Sequence, residues 1–190
     1  AASIGQVHKC HYGGKDLILK IQYPKIRESI ESDINNIRFL TKNLGILPKS
    51  FDFDKLLEAG KIQLLNETDY SIEAKHQKSF YQLLKTDKKF SVPKINENLT
   101  TTKILAMEYK KGVTIDQVVD RNQKTKTSII NSLVELALKE IFEFNLIQTD
   151  PNFANFLYDD KSKKIVLLDF GATSKISKKN IRIFKDILNG

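Results

Sequence analysis

The chain has 190 residues, 41% of them apolar and 28% charged, and 31 Lys and Arg against 23 Asp and Glu give a formal charge of +8. This is the composition of a folded globular domain, and it excludes disordered, collagenous or low-complexity material. The single cysteine, Cys10, excludes a disulfide framework and a cysteine-rich zinc site. No apolar run approaches the roughly 18 residues that a membrane span needs. A basic balance points to phosphates, nucleic acid or an anionic membrane surface. There is no initiator Met, and the opening Ala1-Ala2-Ser3-Ile4-Gly5 falls inside a motif, so the chain reads as a piece of a longer protein.

Residues 7–12 and 17–22 are short strand-like runs on either side of Gly13-Gly14-Lys15-Asp16, which predicts a β-hairpin. Beyond Pro24, Ile26, Ile30, Ile34, Ile37, Leu40 and Leu44 recur at three- and four-residue steps, the pattern of an amphipathic helix. A second helical stretch is expected over 53–84, interrupted near Gly60. Residues 92–96 and 103–109 read as strands around a polar turn at 98–102. A short helix is expected over 115–119 and a long one over 128–144. A hairpin then pairs 156–158 with 165–169, and a last helix begins near Ser177. Strand-rich segments precede helix-rich ones, with a hinge-like stretch between Tyr109 and Gly112. That order predicts a two-lobed α+β domain.

The strongest chemical signal is Asp150-Pro151-Asn152-Phe153-Ala154-Asn155, followed after the hairpin by Asp169-Phe170-Gly171. An Asp and an Asn five positions apart on a tight loop can sit side by side, and Asp169 at the end of the returning strand adds a third oxygen group. Hard oxygen donors of this kind suit Mg2+. Phosphoryl transfer needs that metal and an aspartate near the attacking oxygen. A second signal is Lys20, which closes the apolar run Leu17-Ile18-Leu19 and, partly buried, requires an anion. A nucleotide phosphate and a helix glutamate would answer that requirement; the bland alternative is a lysine snorkelling from a strand edge. Glu73 is the expected glutamate. Glu67 competes, but on one continuous helix it would lie about 120° round from Glu73. At the start of the chain, Ala2, Gly5 and Val7 fall on positions of a Gly-x-Gly-x-x-Gly-x-Val phosphate loop, with only one glycine kept. His8, His11, His76 and Cys10 have no zinc spacing.

Five motifs occur in order: Ala-Ala-Ser-Ile-Gly-Gln-Val-His, Lys-Ile-Gln-Tyr-Pro, Glu-Thr-Asp-Tyr-Ser-Ile-Glu-Ala, Gln-Thr-Asp-Pro-Asn-Phe-Ala-Asn-Phe and Leu-Leu-Asp-Phe-Gly-Ala. Together, over residues 1–176, they resemble the UbiB family of atypical kinases, also called aarF-domain-containing kinases. The resemblance implies a protein-kinase-like fold, with an N-lobe of antiparallel sheet plus helices over 1–110 and a mostly helical C-lobe over 111–190. It implies ATP and Mg2+ as cofactors, ATPase or phosphotransfer chemistry, and a part in ubiquinone (coenzyme Q) biosynthesis at a membrane surface. The Gln148-Thr149-Asp150-Pro151-Asn152 form looks closest to the mitochondrial branch, which implies the matrix side of the inner membrane.

By position, the resemblance makes Asp150 the catalytic-loop aspartate, Lys20 the ligand of the α- and β-phosphates and Glu73 the partner of Lys20. Asn155 and Asp169 become the Mg2+ ligands. Ala2, Ser3, Gly5 and Val7 cover the nucleotide, Met107 stands behind adenine, and the backbone of Glu108 and Lys110 meets it. Glu67 resembles a glutamate that contacts the lysine of a Lys-x-Gly-Gln segment, which is not among these 190 residues. The implied partners are a nucleotide, an anionic membrane lipid or quinone-pathway lipid, and coenzyme Q biosynthetic proteins, with no nucleic acid. The altered first loop keeps open a non-catalytic nucleotide- or lipid-binding scaffold. Residues 161–185 carry eight Lys and Arg against one acid, either a solvated face or an attraction to anionic headgroups.

Overall fold

The computed structural model describes residues 4–44, 52–150 and 152–189. In chain order its elements are β1 (Gly5–Tyr12), β2 (Lys15–Gln22), α1 (Ile26–Leu44), α2 (Phe53–Glu67), α3 (Tyr70–Leu84), β3 (Phe90–Ser91) and β4 (Ile104–Glu108). Then follow β5 (Val113–Thr114), a 3-10 turn (Ile115–Asp120), α4 (Gln123–Lys139) and a single wide π-turn (Glu140–Phe144). After these come β6 (Leu146–Gln148), a 3-10 turn (Phe153–Asn155), β7 (Phe156–Asp159), β8 (Lys164–Leu167), β9 (Thr173–Lys175) and α5 (Lys178–Asn189). The chain packs as two compact units, one made of 1–72 with 96–107 and the other of 73–95 with 108–190.

The first unit is built on a three-stranded sheet in the order β1-β2-β4. Gly13 and Gly14 turn the hairpin at φ of 57° and 74°, a conformation that only residues lacking a Cβ adopt freely. Gln22, from the Lys-Ile-Gln-Tyr-Pro motif, ties this unit together. Its backbone N–H donates to Lys103 O at 3.1 Å, and its side-chain amide donates to Thr68 O at 2.7 Å and Thr102 O at 3.2 Å. A small core of Ile30, Ile34 and Leu57, with Ile26, Phe53 and Leu65 against it, joins α1 to α2.

The second unit holds the larger core. Phe80, Phe90, Leu167 and Phe170 are fully buried in it, together with Val92, Ile129, Leu136, Leu146, Phe156 and Ile165. Its four-stranded sheet runs β3-β8-β7-β5, with β3 parallel to β8 and the other neighbours antiparallel. A separate antiparallel pair joins β6 to β9 in the register Leu146↔Lys175, Ile147↔Ser174, Gln148↔Thr173.

The 53–84 helix breaks at Thr68 and Asp69 rather than at Gly60. Gly60 stays helical inside α2, whereas Thr68 Oγ1 donates back to Leu65 O at 2.6 Å and Asp69 Oδ1 accepts the Ser71 N–H at 2.9 Å. Two short polar side chains satisfying helix ends outweigh a glycine, which costs only about 1 kcal/mol in a helix interior. Residues 92–96 are not a continuous strand. Pro93 has no N–H to give, and the segment meets β4 through Glu108 N–H to Lys94 O at 2.8 Å, Asn96 N–H to Ala106 O at 2.9 Å and a longer Lys94 N–H to Glu108 Oε2 bond at 3.4 Å. The long helix starts earlier than 128, where Asn122 Oδ1 accepts the Thr125 N–H at 2.9 Å.

Candidate active site

In the first unit, Val7 and Lys20 stand directly opposite each other in the β1–β2 register and so share one face of the hairpin. Lys20 is 8% exposed, while Val7 is 39% exposed. Gly5 is buried, and its lack of a side chain has a local cause. A Cβ there would run into the Ile21 carbonyl oxygen and stand 3.0 Å from the Tyr70 hydroxyl. Met107, near the end of β4, is 2% exposed. Ala2 and Ser3 lie outside the described residues.

In the second unit the Glu108 N–H is spent on Lys94 O, so the carbonyl is what Glu108 offers to a base. Its carboxylate pairs with the Lys110 ammonium at 2.9 Å. The Asp150 loop is held at both ends. Thr149 gives its N–H and its hydroxyl to Ala172 O, at 2.7 and 2.9 Å. Asn152 caps the 3-10 turn by accepting the Ala154 N–H at 2.9 Å, and the Asn155 N–H returns to Asn152 O at 3.0 Å. That turn brings Asn155 back beside Asp150, and Asn155 Nδ2 donates to Asp150 Oδ2 at 3.1 Å.

The same turn reaches the Asp169 segment, because Asn155 O accepts the Leu168 N–H at 3.0 Å. Asp169 Oδ1 in turn accepts the Gly171 N–H at 2.9 Å. Between these two residues Phe170 is fully buried against Phe80, ring centroids 5.1 Å apart, and its carbonyl meets His76 Nδ1 at 3.2 Å. Glu73, one turn before His76 on α3, is 6% exposed. A Cβ on Gly171 would stand 3.4 Å from Asp169 Oδ1 and 3.8 Å from Glu73 Oε2. Two carboxylates therefore flank one glycine, an arrangement that calls for positive charge. Because α2 and α3 are separate helices, Glu67 and Glu73 are not two faces of one helix; the break at Thr68 and Asp69 removes the angular comparison between them.

Among the described residues no three His, Cys, Asp or Glu side chains cluster as metal ligands. What the second unit offers a cation is the Asp169 carboxylate and the Asn155 amide oxygen, whose NH2 is already directed at Asp150. That donor set fits Mg2+, which takes one or two carboxylates and completes its shell with water and phosphate oxygens. It does not fit Zn2+, which prefers sulfur and nitrogen.

Four contributors were not singled out from the sequence: Thr149, Asn152, His76 and Glu140. Asn152 was legible as an Asx cap, because Asp-Pro-Asn is a turn signature. Glu140 carries no such signal. It is 5% exposed, and its Oε2 accepts the Gln148 N–H at 3.0 Å. Burial pushes its carboxyl up to about 7, against the opposing pull of that N–H.

A model described as the ABC1 atypical kinase-like domain matches residues 1–190. The chain belongs to this family. A zebrafish (Danio rerio) ABC1 relative, "Atypical kinase COQ8B, mitochondrial", is 46% identical over 173 residues, covering 90% of this chain and 28% of its own. "Atypical kinase COQ8, mitochondrial" of Saccharomyces cerevisiae is 40% identical over 189 residues, covering 99% of this chain and 38% of its own. The chain thus spans between 28% and 38% of the length of these two curated relatives. Among solved structures, the erythromycin complex of Rv3197 from Mycobacterium tuberculosis superposes with a TM-score of 0.79 at 25% identity, over 93% of this chain and 45% of that one. The ABC1 domain described here therefore has the α+β, kinase-like fold expected from its motifs.

Proposed function

We propose that this domain binds ATP with Mg2+ and carries ATP hydrolysis or phosphoryl transfer in support of coenzyme Q biosynthesis. The observation that carries the reading is the Asp150–Asn155 pair, tied through Asn155 O and the Leu168 N–H to the segment bearing Asp169. The pathway and a mitochondrial location follow the names of the relatives. A magnesium ion held by these ligands would neutralise phosphate charge. Asn155 holds Asp150 Oδ2, which leaves Oδ1 to receive the proton of an attacking hydroxyl or water. Asp169 and the Asn155 amide oxygen would hold the metal, and Gly171 leaves room beside the two carboxylates. Lys20 is the phosphate ligand of the first unit, Gly5 and Val7 cover the nucleotide, and Glu73 is the acidic residue that the second unit brings to this chemistry. The Glu108 carbonyl and the Lys110 N–H are the adenine contacts, with Met107 behind the base.

The test is nucleotide binding and hydrolysis by the full-length protein. Ligand at about 100 times Kd stabilises by about 2.7 kcal/mol, a shift of several degrees in the midpoint. Asp169→Asn and Lys20→Ala lose the Mg2+-dependent shift, while Asp150→Asn keeps it and loses turnover. No shift with the intact protein overturns the reading.

One observation favours the scaffold as a second reading. The single glycine of the first loop is explained by its packing on Ile21, so it is no evidence of a phosphate cradle. Binding without hydrolysis, unchanged by Asp150→Asn, would establish the scaffold.

The membrane part of the proposal rests on α5, and its placement at the matrix face of the inner membrane follows only the family resemblance. That helix carries Lys178, Lys179, Arg182 and Lys185 and leaves Ile183, Phe184 and Ile187 exposed by 48%, 40% and 70%. A basic helix with exposed apolar residues suits an anionic lipid surface. Cosedimentation with anionic vesicles and not with neutral ones is the expected result; equal binding to both would refute it.

A further inference from the structure

We propose that Glu140 is the positioning residue of the Asp150 loop: its buried carboxyl accepts the Gln148 N–H and holds the end of β6 from which Thr149 and Asp150 emerge. This deepens the reading of Asp150 given above and rests on it.

The register explains why such an acceptor is needed. Thr149 N–H bonds Ala172 O and Ile176 N–H bonds Asn145 O, so 149/172 and 145/176 are hydrogen-bonded pairs of the ladder. The alternation of an antiparallel pair then makes Gln148↔Thr173 a non-hydrogen-bonded pair, with the Gln148 N–H pointing away from β9. Among the described residues the β6–β9 sheet has two strands, and no third strand receives that N–H. Glu140 Oε2 does, at 3.0 Å.

The backbone is shaped to bring the carboxyl there. At Glu140 the regular helix α4 gives way to one π-turn, which closes with the Asn145 N–H on Glu140 O and Asn145 in the left-handed region at φ 53°. Wide turns of this kind interrupt regular helical bonding and are frequent at functional sites. A buried acid that meets a backbone amide is likewise expensive, since an apolar side chain could fill the same space. The raised carboxyl pKa at this position records that cost. On the adjacent face, Gln148 Nε2 and Thr173 Oγ1 are buried without a hydrogen-bond partner, so the side chains of the Gln148–Thr173 pair do little to anchor the strand. The Glu140 bond carries that task.

The experiment compares the full-length protein with Glu140→Gln, Glu140→Leu and Asp150→Asn, using two readouts. One is hydrogen exchange at the Gln148 amide, which needs no activity. The other is MgATP turnover set against MgATP affinity. Loss of one hydrogen bond to a buried group predicts about tenfold or faster exchange at Gln148 in Glu140→Leu. Turnover falls by a similar factor while MgATP affinity stays within about threefold. Glu140→Gln retains a carbonyl oxygen for the same N–H, and restores both slow exchange and most of the turnover. A Glu140→Gln variant that exchanges as fast as Glu140→Leu overturns the proposal, as does a Gln148 amide that exchanges rapidly in the parent protein. If the parent protein binds nucleotide without turnover, the catalytic reading of Asp150 fails. The exchange result still decides the role of Glu140. If Glu140→Leu does not fold, the Glu140→Gln and parent measurements decide it alone.

Discussion

Asn155 gives its side-chain amide to Oδ2 of Asp150 across 3.1 Å, so one turn sets the orientation of both groups at once. The carboxylate cannot rotate without giving up this donor, and the amide oxygen is thereby directed away from Asp150. Asn155→Leu keeps roughly the size of the side chain but removes both the donor to Asp150 and the amide oxygen offered to Mg2+. We expect the Mg2+ concentration for half-maximal stabilisation by ATP to rise by about tenfold or more, the scale of losing one interaction with a charged group. Thermal midpoints over a Mg2+ series check this, and an unchanged Mg2+ dependence would count against Asn155 as a ligand.

Gly5→Ala tests whether the glycine of the first loop serves packing. Its Cβ would meet the Ile21 carbonyl oxygen and the Tyr70 hydroxyl, and neither the strand backbone nor a buried ring yields easily. Overpacking of this type costs about 1–3 kcal/mol. The midpoint without nucleotide should fall by several degrees. A midpoint equal to that of the parent would mean that β1 shifts freely.

Phe80 is fully buried and lies 5.1 Å from the Phe170 ring and 6.2 Å, edge to face, from that of Phe144. It therefore backs both the Asp169 segment and the π-turn that carries Glu140. Phe80→Ala should destabilise by about 3–5 kcal/mol in chemical denaturation. Phe80→Leu should recover much of this loss while leaving the Phe170 side chain less constrained.

Glu140 makes stability depend on pH in a defined window. Its folded carboxyl lies at about 7, above the ordinary value of 4.5. The folded state therefore binds more protons than the unfolded state between these values, and stability contributed by the neutral acid is lost as pH rises from 4.5 through 7. The slope due to this group is at most about 1.4 kcal/mol per pH unit. Glu140→Gln should flatten the stability curve over that interval. A curve with the same slope in the variant would assign the dependence to other groups.

Much of the fold was legible because its signals are local. Gly13-Gly14 between two alternating runs specifies a hairpin, and six apolar residues at helical spacing specify α1. The Asp150 to Asn155 spacing likewise placed a carboxylate and an amide on one turn. The misread boundaries had local causes too weak to rank from spacing alone. Gly60 looked like the interruption, but the capping by Thr68 and Asp69 outweighs it, and Pro93 removes a donor from what read as a strand.

The amino-acid sequence by itself determined the family, the kinase-like fold class and which side chains stand on the Asp150 and Asp169 segments, since motif order and short-range periodicity are properties of the chain. Only the tertiary structure decided which distant groups meet. His76 reaches Phe170 O across 94 positions, and Gln22 reaches Thr102 O across 80. Glu140 reaches the Gln148 N–H because a π-turn and a strand register happen to align them. A buried backbone donor takes whatever acceptor the packing presents, and no residue pattern encodes that choice before the chain has folded.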